Sequence, residues 1–291
     1  MRKCTDSWRK PKPYQPLFGK QVSSYPATRI FDQFSFIGNP YVCCFIIETT
    51  DGLIMIDCME RKEDQKQSIV QGISDLGLDP YDLKAILITH GHGDHYGFAD
   101  WFREQYGCKI YMSKETYDFA TQANLTYTKP IPYEVYDFLD DYGEFKLGNQ
   151  SVFTYLTPGH CPGCMSFIVP VTDEGRPHML AIWGGTLPPF SMAWKVDYLE
   201  SLRKFGDITD KMDVDCEISN HPYVDNSIER MDVLRNINDG VPNPFVIGKE
   251  AYKRYERMFL NVCLESIHKQ AYEADELLPP PPKRIPPKDD K

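Results

Sequence analysis

Short apolar runs alternate with amphipathic stretches along the first half of the chain. Two helices are predicted in this half at Asp64–Leu76, where Ile69, Val70, Ile73 and Leu76 follow helical spacing, and at Phe98–Tyr106. The Asp51-Gly52 pair predicts a hairpin turn. Strands are predicted where apolar runs are bounded by turn residues, at Arg29–Gly38, Tyr41–Glu48, Leu53–Asp57, Leu83–Thr89 and Lys109–Met112.

The second half repeats this rhythm. A helix is predicted at Tyr198–Phe205, and strands are predicted at Glu144–Leu147, Ser151–Leu156, Ser166–Val171, Met179–Trp183 and Val214–Ser219. The two halves are comparable and no linker-like break separates them. We therefore predict one α/β (α+β) domain whose two-sheet core is mostly antiparallel.

Both ends differ from this domain. The start is rich in Pro, Lys and Tyr without a clear period, which favours an extended arm. Near the other end, Tyr252, Tyr255, Phe259 and Val262 roughly follow helical spacing, and many prolines come after them. The predicted organisation is an N-terminal arm at 1–26, a domain at 27–248, a C-terminal helix at 249–272 and a Pro-rich tail at 273–291.

Composition narrows the class of protein. Of 291 residues, 42% are hydrophobic and 25% are charged, which is typical of a globular domain with a sizeable core. The net charge of −10 opposes nucleic acid as a partner, because phosphate binding needs a basic face. No apolar run is long enough to cross a membrane. Nine cysteines, with no apolar segment behind the basic N-terminus, favour reduced thiols and a cytoplasmic protein.

Three of the seven histidines stand in one short segment, Thr89–Gly97, directly after a predicted buried strand. In an extended loop, the rings of His90 and His92 can point the same way, and Asp94 and His95 follow at once. Imidazoles suit zinc and its first-row neighbours, and holding four such groups together without a metal would be costly. This segment therefore predicts a metal site.

Two further histidines lie in matching positions. His160 follows a predicted strand in a Gly/Pro turn, and His221 follows another strand and precedes Pro222. Each completes a ligand set that the first segment leaves short. The remaining two, His178 and His268, are predicted to be structural or solvent-facing.

Together these segments resemble the metallo-β-lactamase superfamily over residues 27–235. The motifs that carry the resemblance are His90-x-His92-x-Asp94-His95, Thr157-Pro-Gly-His160, Trp183-Gly-Gly-Thr-Leu187 and the final His221. The resemblance implies a four-layer αβ/βα sandwich with a two-metal site at one edge. It implies one metal on His90, His92 and His160 and a second on Asp94, His95 and His221. Two Zn²⁺ ions per chain are expected, with iron or manganese left open.

One departure from the family concerns the segment Gly184-Gly185-Thr186-Leu187. Glyoxalase II and most lactonases of the superfamily carry a bridging aspartate there, and this chain has glycine. The nearest pattern is the third subclass of metallo-β-lactamases, which shares His221-Pro222 and the text of Arg29–Gly38. Loss of a negative ligand should weaken the second metal, so occupancy by one metal stays open.

The function that follows is hydrolysis of a small amide or lactam, lactone or thioester by water that a metal ion activates. Asp94 is the predicted catalytic residue, which orients that water and moves its proton. The alternatives are a phosphodiesterase or RNA-processing nuclease of the same superfamily, and a metal-binding sensor without turnover.

Substrate contacts are predicted from position. Thr186, Phe190 and Trp194 follow the strand that ends at Trp183, and Tyr223 and Asn226 follow the last ligand. The predicted partner is a small molecule, with no nucleic acid, no membrane and a homo-oligomer left open. The segment Leu125–Pro132 is a further candidate for the pocket wall, and the pair Cys161 and Cys164 is predicted to pack in a turn rather than to act as a redox pair.

Overall fold

A computed structural model describes residues 24–122, 137–236 and 241–276. Most of the predicted arm and tail, and all of Leu125–Pro132, lie outside these residues. The helices are α1 Glu63–Asp75, α2 Ala99–Tyr106, α3 Lys114–Ala120, α4 Met192–Lys211, α5 Pro222–Asp225, α6 Ser227–Asn236 and α7 Lys249–Glu276. The strands are β1 Tyr25–Phe31, β2 Phe34–Gly38, β3 Cys43–Thr49, β4 Gly52–Ile56, β5 Leu83–Leu87, β6 Lys109–Met112, β7 Asp137–Phe138, β8 Gly143–Leu147, β9 Gln150–Leu156, β10 Met165–Asp173, β11 Arg176–Ile182 and β12 Cys216–Ile218.

The strands form two sheets. One has the order β1-β2-β3-β4-β5-β6-β7 and the other has the order β12-β11-β10-β9-β8. Among the described residues, six strand pairings are antiparallel and four are parallel. The two-sheet core as a whole is mostly antiparallel, as predicted, but the first sheet has equal numbers of antiparallel and parallel pairings.

Three apolar layers separate four layers of structure. The inner faces of the two sheets meet through side chains such as Phe34, Phe45 and Phe167, all fully buried. On the outside of the first sheet, α1 and α2 cover a second core, and on the outside of the second sheet, α4 and α7 cover a third. The arrangement is the predicted αβ/βα sandwich. Within the described residues, no helix is long and apolar enough to span a membrane.

The strand ends bring the predicted metal-binding segments to one edge. Parallel pairing of β4 with β5, and of β11 with β12, places the carboxyl ends of these strands side by side. The segments that hold His90 and His221 leave from those ends. The backbone N–H of Met165 donates to the carbonyl of Thr89 at 2.7 Å, which ties the two sheets together there.

The prediction of a single strand at Arg29–Gly38 is wrong, because the chain turns at Asp32 and Gln33 and forms β1 and β2. The turn is held by distant groups that the local sequence does not reveal. The Asp32 carboxylate accepts the backbone N–H of Glu174 and of Gly175, and the Gln33 amide donates to the carbonyl of Pro170.

The structure contains more and longer helices than the sequence predicts. The helix expected at Tyr198–Phe205 is α4, which already begins at Met192, and α3, α5 and α6 were not predicted. Helix α7 confirms the helix expected after residue 248 and continues to Glu276. The boundaries of the arm, the domain and the tail stay predictions.

Candidate metal centre

Five histidines and one aspartate meet at this edge of the sandwich. They form two groups, one of His90, His92 and His160 and one of Asp94, His95 and His221, and within each group the potential ligand atoms lie within 4.8 Å of one another. The groups adjoin through His90 and His95, whose ring centroids are 3.9 Å apart. The structure thus brings together all six residues that the sequence proposed as ligands.

Acceptor atoms fix the orientation of the outer rings. Nδ1 of His160 donates to the carbonyl of Leu187 at 2.7 Å, and Nδ1 of His221 donates to the carbonyl of Tyr41, also at 2.7 Å. A carbonyl can only accept, so in both rings Nδ1 carries the proton and Nε2 keeps its lone pair. Nε2 of His160 lies 3.0 Å from Nδ1 of His92, so the lone pair of His160 points towards the ring of His92.

The buried rings offer the test of whether a metal fits. His90 and His95 are fully buried, and Nε2 of each has no hydrogen-bond partner among the described residues. Their Nδ1 atoms are engaged, with Thr89 Oγ1 at 3.1 Å and Asp57 Oδ2 at 2.8 Å, respectively. Burying a ring nitrogen without a hydrogen-bond partner destabilises the folded state, and a metal ion bound to that nitrogen would offset the loss. The donor set of five imidazoles and a carboxylate suits zinc.

Asp57 organises the centre without belonging to either group. It is fully buried, has a left-handed backbone (φ 58°), and accepts the Thr89 backbone N–H at 2.8 Å. Its other oxygen accepts from Nδ1 of His95 and from the Asn220 amide at 3.2 Å. Such a carboxylate behind a ligand histidine fixes the ring and strengthens it as a ligand. The sequence signal was an aspartate that directly follows an apolar strand.

Burial sets the protonation of the first group. It lowers the pKa of His92 to about 4 and of His160 to about 3, and it lowers the pKa of His90 well below its ordinary value. The neighbouring rings act in the same direction. These three imidazoles are therefore neutral at neutral pH, as ligands must be.

In the second group, charged neighbours outweigh burial in setting the pKa values. Burial lowers the pKa of His95, but the Asp94 and Asp57 carboxylates outweigh it and raise that pKa to about 10. Burial raises the pKa of Asp94, but His95 and His221 hold it well below its ordinary value. Asp94 is thus an ionised carboxylate, with 39% of its side chain exposed and Oδ2 at 3.5 Å from Nε2 of His95.

The sequence of this chain is similar to those of known metal-dependent hydrolases. The sequence profile of the Metallo-beta-lactamase superfamily matches residues 38–173. The match spans slightly less than half of the chain, and it makes this part of the chain similar to a metallo-beta-lactamase domain. Two curated relatives illustrate its kinship. "Probable metallo-hydrolase YqgX" of Bacillus subtilis is 31% identical over 115 residues, which are 36% of this chain and 51% of that protein. "N-acyl homoserine lactonase AttM" of Agrobacterium fabrum is 29% identical over 176 residues, which are 55% of this chain and 66% of that protein.

Solved structures show the same fold. The subclass B3 metallo-beta-lactamase BJP-1 of Bradyrhizobium japonicum superposes with a TM-score of 0.75 at 21% identity, covering 89% of this chain and 98% of that one. The metallo-beta-lactamase FEZ-1 of Legionella gormanii superposes with a TM-score of 0.73 at 22% identity, covering 85% and 97%. The third-subclass pattern in the sequence agrees with these neighbours. The chain spans only 51% and 35% of the length of two of its curated relatives.

Gly185 stands where the resemblance to the superfamily places a bridging aspartate, and Gly184 precedes it. A Cβ on Gly185 would lie 2.4 Å from Cβ of His160, and a Cβ on Gly184 would lie 1.9 Å from the carbonyl oxygen of Met165. Carbon atoms in contact are normally about 3.5–4.0 Å apart. In this geometry, no side chain fits at position 185 beside His160, so the departure from the family is built into the packing.

The proposed substrate contacts occupy different settings. Tyr223 is 52% exposed, with its ring 5.6 Å from that of His221, and Phe190 is 99% exposed. Trp194 is half-buried against Phe119, which in turn lies 6.1 Å from the ring of His92. Thr186 is buried, with its carbonyl accepting from Tyr198.

Asn226 lies in a left-handed turn (φ 57°) between α5 and α6, with its side chain exposed. Its carbonyl accepts the backbone N–H of Arg230. The structure thus gives Asn226 a role in the turn, and its contact with a substrate stays a prediction.

The cysteines after His160 form a buried pair. Sγ of Cys161 lies 3.5 Å from Sγ of Cys164, and neither residue is exposed. They pack with Phe119 and Trp194 in a small apolar cluster. This packing supports their predicted role in a turn, and all eight cysteines in the described part of the chain are free thiols.

A third group of potential ligands lies at the other end of β11. It consists of His178, Asp215 and Cys216. Nδ1 of His178 donates to Asp215 at 2.7 Å, and Asp215 also accepts the backbone N–H of Met179. These atoms already satisfy one another, in keeping with the structural role predicted for His178.

Proposed function

We propose that this chain is a hydrolase that depends on two divalent metal ions, with zinc as the resident metal. His90, His92 and His160 hold one ion, and Asp94, His95 and His221 hold the other. The observation that carries the proposal is the convergence of the two groups. The rings of His160 and His221 are held through Nδ1, and Nε2 of the fully buried His90 has no hydrogen-bond partner within the described residues.

The substrate we propose is a small molecule with a reactive carbonyl group: a lactone, a lactam or a thioester. Three curated relatives support this class, since they are named as a metallo-hydrolase, an N-acyl homoserine lactonase and, at 32% identity, a hydroxyacylglutathione hydrolase of Haemophilus influenzae. The metallo-beta-lactamase structures share the fold with this chain, which agrees with the proposal but does not select a substrate. The net charge of −10 disfavours a phosphodiester polymer as the alternative.

When bound, the metal ions would polarise the carbonyl oxygen and make water a nucleophile at neutral pH. The chain supplies the remaining roles. Asp94 is ionised and faces the opening, so its carboxylate accepts a hydrogen bond from the attacking water and carries the proton towards the leaving group. The exposed Tyr223, beside His221, is placed to donate a hydrogen bond to the substrate. Free, buried thiols support a reducing compartment, the cytoplasm.

The test is turnover of a chromogenic cephalosporin, an N-acyl homoserine lactone and a glutathione thioester by zinc-loaded protein. His92→Ala should abolish turnover and lower the zinc content, whereas His178→Ala, the same substitution at the other end of the domain, should change neither. Turnover that survives His92→Ala would refute the proposal. So would a zinc-loaded wild type that hydrolyses none of the three classes.

A further inference from the structure

A buried carboxylate behind the metal centre joins the two ends of the segment that presents His221. Asp225 has no side-chain exposure. Its Oδ2 accepts the backbone N–H of Ser219 at 3.0 Å, and its Oδ1 accepts the backbone N–H of Ser227 at 3.0 Å. The Ser227 hydroxyl donates to both oxygens. The carboxylate therefore closes residues 219–227 into a loop with His221 inside it.

The same loop is held internally and from outside. The backbone N–H of His221 donates to Oγ of Ser219 at 3.0 Å. Ser219 is itself bound to Asp225, so the carboxylate positions His221 through Ser219. From the first sheet, the carbonyl of Tyr41 accepts from Nδ1 of His221, and the backbone N–H of Cys43 donates to the carbonyl of Asn220 at 3.1 Å. The external contacts fix the ring, and Asp225 fixes the backbone that bears it.

Arg230 provides the counter-charge for this carboxylate, opposing the burial that raises the pKa of Asp225 to about 6. Its guanidinium lies 3.3 Å from Oδ2 of Asp225, pairs with Glu217, and donates to the carbonyls of Glu217 and Pro244. It also stacks over Phe245 at 4.1 Å. A buried carboxylate without a counter-charge would tend to take up a proton, and it would then lose acceptor capacity. The guanidinium is thus a fixed counter-ion.

We infer that Asp225, neutralised by Arg230, is the positioning residue for His221 and controls metal binding at the second position without touching the metal. The inference rests on the proposed function, because it takes His221 to be a ligand. A carboxylate that supports a ligand from behind commonly accounts for about 10–100-fold in metal affinity. We expect the same range here.

The decisive variant is Asp225→Asn. The amide keeps the size of the side chain, but only one of its two polar ends can accept, whereas both ends of Asp225 face donors. One end of the loop must therefore be released. We expect the zinc concentration that shifts the ring-nitrogen NMR signals of His221 to rise about 10–100-fold, while those of His90, His92 and His160 titrate as in the wild type.

Asp32→Asn is the matched control, since Asp32 also accepts two backbone N–H groups but lies in the turn between β1 and β2. It should leave the His221 titration unchanged. If Asp225→Asn does not fold, Ser227→Ala removes only a hydroxyl and should weaken zinc at His221 by a few-fold. An unchanged His221 titration in the folded variants would overturn the inference. A wild type in which zinc never shifts His221 would instead overturn the proposed second metal position itself.

Discussion

A single methyl group at position 185 should disrupt the first metal position, and Gly185→Ala tests this. The new Cβ would lie 2.4 Å from Cβ of His160 and 3.1 Å from its Cγ. Ordinary carbon contacts begin at about 3.5 Å, so the two residues must separate by about 1 Å.

His160 has little freedom to retreat. Nδ1 is held by the carbonyl of Leu187 at 2.7 Å, and Nε2 lies 3.0 Å from His92. Behind it, Gly159 packs so tightly on α4 that its own Cβ would lie 2.4 Å from Tyr198. The strain must therefore move the ligand ring. A misplacement of about 1 Å can cost about 100-fold in rate, and overpacking of this kind destabilises a protein by about 1–3 kcal/mol.

The assay combines zinc content after dialysis, urea unfolding and turnover of whichever carbonyl substrate the wild type accepts. Gly206→Ala is the matched control, because Gly206 lies inside α4 and its Cβ would meet nothing in the described part of the chain closer than the Glu256 carboxylate of α7, at 3.4 Å. It should gain about 0.5–1 kcal/mol of stability and keep full activity. Wild-type zinc content and turnover in Gly185→Ala would refute this reasoning. Tighter zinc binding in Gly185→Asp would also refute it, since the family's carboxylate has no room here.

Three further predictions concern groups around the centre. Asp57→Asn should weaken zinc binding by about 10–100-fold in a calorimetric titration, because the NH2 end of the amide must face either the Thr89 donors or the His95 donor. An unchanged affinity would show that Asp57 is not a support for His95. Burial and the Asp225 carboxylate raise the pKa of Glu217 to about 8, although Arg230 opposes them. The pKa of a glutamate in the unfolded chain is about 4.3. At a pH between this value and 8, Glu217 is protonated in the folded state but ionised in the unfolded state, so the stability of the wild type should fall as the pH rises towards 8. Glu217→Gln should lose less stability over that range in urea unfolding, and parallel curves would contradict the assignment. Cys161 and Cys164 are buried, and burial raises the pKa of the Cys164 thiol, so mass spectrometry should find neither labelled by a maleimide until the protein is denatured. Rapid labelling of the folded protein at either residue would contradict this burial.

The convergence of the six proposed ligands could be predicted from the sequence because each of them follows an apolar strand in a segment that contains glycine or proline. Such strands were recognisable, and parallel neighbours such as β4 and β5 end at the same edge. The supporting groups were much harder to find. Asp57 meets its partners at positions 89, 95 and 220, and nothing local to Asp57 specifies them.

Helices were underestimated where tertiary packing, rather than a long apolar stripe, stabilises them. Helix α3 is short, and its clearest signal is Ser113, whose hydroxyl accepts the backbone N–H of Thr116 as an N-cap. Helix α4 begins six residues before its predicted start, where Met192 and Val196 are exposed. The turn at Asp32 and Gln33 shows the same limit, since residues 170–175 stabilise it from another sheet.

The hydrogen-bond acceptors of His160 and His221 affect which positions near the site can accept mutations. Both rings donate a hydrogen bond to a main-chain oxygen, His160 to that of Leu187 and His221 to that of Tyr41. Leu187 and Tyr41 are themselves about half exposed, at 47% and 46%. A main-chain oxygen remains when the side chain is replaced. Mutation can therefore remodel the surface around the opening without disturbing the two rings. Under the proposed function, substitutions at positions 41 and 187 should change substrate preference while the two rings keep their acceptors, so laboratory evolution of a new specificity should start there.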